Sequence, residues 1–206
     1  MTGNREITQV YDDPINKQLC KDIKFFLDQN FKQIKMTSKV DYRSRENVNH
    51  NFFFINKDNS NSSQNSLRNQ LAITSIPRDL ILKRKGYNFT LNNFYGNLID
   101  IEFENFMKKN LIFQDFLMIA KKVKFLIIRN IPQLDDNVKN YIHRFISLID
   151  AFYENKNILS ISTRVELDNI YTGKLNAVEL KRTISRLKEM GSNTYITKNL
   201  KNFVKK

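Results

Sequence analysis

Glu179, Arg182, Arg186 and Glu189 recur at i, i+3 and i+4 spacing within Val178–Met190 and therefore share one face of a helix. A guanidinium fork at such a position grips a phosphate or a carboxylate through two parallel hydrogen bonds. The same spacing also makes a surface ladder of ion pairs, worth about 0.2–0.5 kcal/mol each. Both readings stand on the residues alone. Upstream, Asp150 and Glu154 are also one helical turn apart, a spacing open to paired acid–base work and to a solvated face. Other constellations are missing. His50 and His143 lie far apart and Cys20 is the one cysteine, so no zinc site of ordinary spacing exists, and His143 reads as a helix-surface residue. The five glycines (Gly3, Gly86, Gly96, Gly173 and Gly191) build no G-x-x-x-x-G-K-[ST], the loop whose backbone N–H groups wrap phosphates. The strongest strand candidates end in Arg129 and in Ser162-Thr163, not in the acidic pair that would hold magnesium. No G-x-S-x-G is present either.

The elements that must carry these residues follow from periodicity. Ile15, Leu19, Ile23 and Phe26 recur at helical spacing from Pro14 to Leu27, and Phe31–Met36 alternates as a short strand. Asp58–Asn69, DNSNSSQNSLRN, is Asn/Ser-rich and reads as a surface loop or linker, with a soft domain boundary near residue 65. Between Leu71 and Phe94 the runs LAITSI, DLILK and YNFTL are β-like, with turns at Gly86 and Gly96. Phe103–Lys122 predicts one or two helices. Next, KFLII (Lys124–Ile128) is a buried strand, and Val138, Tyr141, Ile142, Phe145, Leu148, Ile149 and Phe152 form the stripe of a long helix started by Asp135 or Asp136. Arg144 on that helix reads two ways, as a residue with a functional role and as a partner for Asp135 or Asp136 near the helix start. ILSIS (Ile158–Ser162) is the second buried strand, so strand, helix and strand make a parallel α/β unit. Val178–Met190 reads as the last amphipathic helix, stopped by Gly191.

The bulk numbers agree with a folded chain of 206 residues, 41% hydrophobic and 12% aromatic. No apolar run approaches the ~20 residues of a membrane span, and the first residues lack the pattern of a secretory signal. A lone cysteine fits a reducing compartment, hence a cytoplasmic setting. Net charge is +13, which suits polyanionic partners: nucleic acid, an anionic membrane surface or an acidic protein. The lysines are spread along the chain, with only Lys198–Lys206 resembling a basic tail.

Several segments resemble one family, the ZapE and lactation-elevated proteins of the AAA+ ATPases. RFISLIDAFYEN (Arg144–Asn155) and RTISRLKEMGSNTY (Arg182–Tyr195) carry the resemblance most specifically, with FLIIRNIPQL (Phe125–Leu134) and ILSIS between and before them. Thr2-Gly3-Asn4-Arg5 is similar to the family's sensor-1 T-S-N-R, Asp41-Tyr42-Arg43 to its D-Y-R, and Gln114-Asp115-Phe116 to its A-D-Y. The resemblance implies an α/β fold, the C-terminal part of a P-loop AAA+ ATPase: a parallel strand–helix–strand unit, a helical C-terminus and a short β-rich middle. Residues 1–65 would be a remnant of the AAA+ core, and 66–206 the family-specific α/β region with its terminal helix. It implies ATP and magnesium as cofactors of the full-length family and none for this chain by itself. Asn4 takes the sensor-1 position. Lys17 stands at the arginine-finger-like position, keeping the charge without the planar fork, and Pro14 replaces a family glycine. Arg182 and Arg186 become sensor-2-like candidates for touching nucleotide. The expected partners are an upstream chain carrying the Walker A and B motifs, a division protein or the inner-membrane surface, with nucleic acid as a further polyanion.

Overall fold

In the computed structural model of the chain, the described residues are Phe25, 52–55, 60–84 and 86–204. The expected helix at Pro14–Leu27, the strand at Phe31–Met36, and Asn4, Lys17, Cys20, His50 and Asp41-Tyr42-Arg43 lie outside them, apart from Phe25 itself. Six strands make one sheet: β1 (Phe53–Ile55), β2 (Arg78–Arg84), β3 (Tyr87–Phe94), β4 (Leu98–Glu102), β5 (Phe125–Ile131) and β6 (Ile158–Thr163). Their order is β1-β6-β5-β4-β3-β2. β1, β6, β5 and β4 run parallel, and the β2–β3 hairpin extends the sheet antiparallel from β4. The fold is α/β with a mixed sheet, and β5, the following helix and β6 are the parallel unit legible in the sequence.

Six helices accompany the sheet among the described residues: α1 (Ser60–Leu71), α2 (Phe103–Lys108), α3 (Phe113–Lys122), α4 (Lys139–Glu154), α5 (Ala177–Met190) and α6 (Asn193–Val204). The chain steps from β1 to β4 in one direction and from β4 through β5 to β6 in the other. Right-handed crossovers then require α1 and α4 to cover opposite faces. Asp100, Ile127 and Ser160 stand opposite one another across β4, β5 and β6, and Gln64 of α1 reaches this row. The core is aliphatic and aromatic: Phe103 meets Phe145 edge-on at 5.6 Å, and Phe106 meets Phe116 at 5.7 Å.

Three local expectations need correction. The described part of the Asn/Ser-rich stretch is not a loop: from Ser60 it belongs to helix α1. Its intrinsic propensity is poor, so docking holds it: Leu67 and Gln64 are buried, and Arg68 binds Asp100 of β4 at 3.3 Å. LAITSI forms no strand; Leu71 ends α1, and the rest is an irregular link tied to Asn97, which accepts from Ile73 N at 3.1 Å and donates to Leu71 O at 3.1 Å. Val178–Met190 is not the last helix, because α6 follows after a two-residue joint. Gly191 permits that joint: a Cβ there would stand 2.9 Å from the ring of buried Phe53. Strand β4 is an addition, its alternation hidden because Leu98, Ile99, Asp100 and Ile101 are all buried.

Candidate functional site

The long helix α4 buries Ile142, Phe145, Ile149 and Phe152, the stripe expected from periodicity. Asp150 and Tyr153 lie off that stripe and face α5. Asp150 receives two arginines: Arg182 donates to Oδ2 at 3.0 Å, and Arg186 donates to Oδ1. The Arg186 guanidinium also lies over the Tyr153 ring, 5.0 Å from its centroid. Tyr153 donates its hydroxyl to Glu189 at 2.7 Å and stacks on Tyr195 with centroids 6.3 Å apart and planes 15° apart. Tyr195 donates onward to Asn157 O at 3.2 Å. Burial, then the neighbouring Tyr153 and Glu189, push the Tyr195 hydroxyl above the usual tyrosine range, so it acts as a neutral donor. The two blocks RFISLIDAFYEN and RTISRLKEMGSNTY thus face each other across α4, α5 and the start of α6.

Beside this constellation opens a cleft of about 570 Å³, lined by Tyr153, Lys156, Arg186, Glu189, Tyr195 and Lys198 among others. Arg186 Nε is buried there without a hydrogen-bond partner, while its other end is held by Asp150. The charged face of α5 is therefore not a ladder confined to one helix. Its arginines tie α5 to α4 through Asp150, and Asp150 with Glu154 is no paired acid site, since Glu154 is exposed and Asp150 is neutralised. Arg144 is corrected as well: it donates to Met107 O at 2.6 Å and Asn110 Oδ1 at 2.8 Å, joining α4 to α2. His143 is exposed on α4, as expected.

A second polar cluster sits where β5 ends. Arg129 grips Asp100 with Nε to Oδ1 and Nη2 to Oδ2, each 2.6 Å, and adds Asn65 Oδ1 at 2.8 Å and Asn61 O at 3.3 Å from α1. Both carboxylate oxygens and every guanidinium nitrogen are engaged, so the cluster clamps α1 rather than holding a ligand. Nothing in the sequence marked Asp100 except a charge inside an apolar run. A third cluster centres on Asp136, whose carboxylate accepts from Tyr171 Oη, Lys174 N (2.9 Å) and Leu175 N (3.3 Å). The Lys174 N–H first, then the Tyr171 hydroxyl, hold the Asp136 carboxyl below the usual carboxylate range. Asp115 acts locally too, accepting from Ile112 N at 2.9 Å and pairing with Arg84 of the hairpin at 3.1 Å. No group of three metal-ligating side chains exists among the described residues, and none of their helices is long and apolar enough to cross a membrane.

The sequence profile of the AFG1-like ATPases matches residues 1–199, almost the whole chain. The chain belongs to the AFG1-like ATPase family. Lactation elevated protein 1 homolog B of Danio rerio is 25% identical over 194 residues, covering 92% of this chain and 39% of the relative. The cell division protein ZapE of Escherichia coli K12 is 32% identical over 82 residues, 40% of this chain and 22% of the relative. The chain therefore spans about two fifths of the length of the Danio rerio relative. No solved structure matches it. The family is described as one of ATPases, and the described residues of this chain hold an arginine–aspartate–tyrosine constellation between α4 and α5.

Proposed function

We propose that these 206 residues perform the share of an AFG1-like ATPase that does not wrap the phosphates: they frame and sense the nucleotide while another segment binds it. The observation that carries this reading is a family match over residues 1–199 in a sequence holding no G-x-x-x-x-G-K-[ST]. ATP and magnesium are held in this scheme by Walker A and B motifs on an upstream chain, and the 206 residues alone neither bind nor hydrolyse ATP. Arg186 serves as the sensor-2-like residue, with Arg182 beside it; the buried, unpartnered Nε and the adjoining cleft support this assignment. Asn4 takes the sensor-1 role, and Lys17 gives weak trans-activation because an ammonium lacks the guanidinium fork.

The test is steady-state ATP turnover by the purified chain, without and with a polypeptide carrying the missing motifs. Turnover at background alone and restored by the added polypeptide is the expected result. Robust turnover by the pure chain would refute the proposal. The ZapE relatives are named as cell division proteins, so a division protein at the inner-membrane surface is the partner this reading puts first.

A further inference from the structure

The end of the sheet where β5 and β6 begin collects lysines from four separate places in the chain. Lys121 and Lys122 close α3, Lys124 leads into β5, Lys156 follows α4, and Lys198 lies on α6. β5 and β6 are parallel with Phe125 opposite Ile158, so the segments that precede them lie side by side. Two side chains fasten them together. Lys124 Nζ donates to Lys156 O at 2.7 Å, and buried Asn157 donates through Nδ2 to Ala120 O at 2.9 Å and Val123 O at 2.6 Å. The Tyr195 hydroxyl on Asn157 O draws α6 to the same end. Lys156 itself adopts a φ of 56°, in the left-handed region, at the turn that presents it. Lys121, Lys122, Lys156 and Lys198 are all exposed, and none forms an ion pair among the described residues.

Lys156 and Lys198 also line the cleft whose wall is the stacked pair Tyr153–Tyr195, with Ser192, Thr194 and Asn199 adding hydrogen-bonding groups. Lysines that track a backbone beside an aromatic wall and a polar hollow are the ingredients of single-strand nucleic-acid binding, where phosphates meet cations and a base meets a ring. We propose that this end of the sheet binds the phosphodiester backbone of single-stranded nucleic acid. The four exposed lysines contact phosphates, and the tyrosine-walled cleft admits a base. Glu154 and Glu189 also line the cleft; Glu189 is occupied by the Tyr153 hydroxyl, and exposed Glu154 can accept from an exocyclic amine. An anionic bilayer suits the surface less well. Among the described residues of this unit, the large exposed apolar side chains Ile73, Ile81, Phe113, Leu175 and Val178 lie away from this end, so none of them is placed there to insert among lipid chains.

The experiment is fluorescence anisotropy of a labelled oligothymidine of about 20 nucleotides with the full chain, in the absence of ATP, between about 50 and 200 mM salt. The variant K121Q/K122Q/K156Q/K198Q should bind at least about tenfold more weakly, and its salt slope should fall by about 0.7 per lysine removed. A control with the same loss of charge elsewhere, K83Q/K139Q/K174Q/K181Q, should stay within about threefold of the unaltered chain. Equal losses in the two variants would overturn the proposal in favour of a diffuse basic surface. So would binding to phosphatidylserine vesicles with none to the oligonucleotide. The cleft is the one that adjoins Arg186, and because Arg186 is unaltered in both variants and no nucleotide is present, failure here is distinguishable from failure of the ATPase reading.

Discussion

Arg129 and Asp100 illustrate how much a single buried charge pair can decide. Their side chains are 10% and 5% exposed, and their fork-to-carboxylate geometry satisfies both. Replacing Arg129 by Met strands the Asp100 carboxylate in the interior, with part-buried Arg68, 3.3 Å away, to offset it. The expected cost is about 3–5 kcal/mol, read as a lower urea midpoint. Asp136 is a gentler, pH-dependent case. Its folded-state pKa lies below the ordinary value, so its contribution is fully present above the unfolded pKa of about 3.9 and is lost as pH falls through the folded value. Thermal unfolding should therefore separate Asp136→Asn from the unaltered chain at pH 6, and the gap should close on acidification below about pH 4. A gap that persisted unchanged in acid would mean that the carboxylate's charge is not what holds the Lys174 and Leu175 amides.

At the scale of elements, the joint between α5 and α6 makes the sharpest prediction. Gly191→Ala drives a methyl group into the fully buried Phe53 ring, and neither the ring nor the helix end can retreat without moving β1 or α6. The expected loss is about 1–3 kcal/mol in denaturant unfolding. In the sequence, Gly191 was legible as a stop; its second role, a close approach to a strand more than a hundred residues earlier, was not. The same division holds elsewhere. β5, α4, β6 and α5 were readable because each carries a strong apolar period or a continuous apolar run. α1 was not, because Asn and Ser form a helix only when tertiary contacts supply what propensity lacks. At the candidate site, periodicity put Arg182 and Arg186 on one face, yet their partner Asp150 lay on another helix. Helical spacing reports neighbours within an element and is silent about contacts between elements. Arg144 is the same case: its partners, Met107 O of α2 and Asn110 just beyond that helix, lie outside α4 and its cap.

For the whole molecule, the two sequence blocks that resembled a known family form the two sides of one cleft, and the family profile covers the chain around them. What the 206 residues lack is equally specific. Phosphate binding needs a glycine-rich turn with its lysine, and five scattered glycines provide none. Arg186 in turn has a half-buried place and an aspartate to hold it, and in the proposed reading it completes a nucleotide site built elsewhere. Within a reconstituted enzyme, Arg186→Lys should therefore reduce kcat more than Asp150-linked stability, because an ammonium keeps the charge and loses the fork; an effect of about tenfold on kcat with less than about 1 kcal/mol on unfolding is expected. The central claim itself is tested by titrating the purified chain with a fluorescent ATP analogue in magnesium. The account predicts no saturable binding up to about millimolar analogue. Tight binding that unlabelled ATP displaces would contradict it, because these residues would then build a phosphate site without the loop that such sites require.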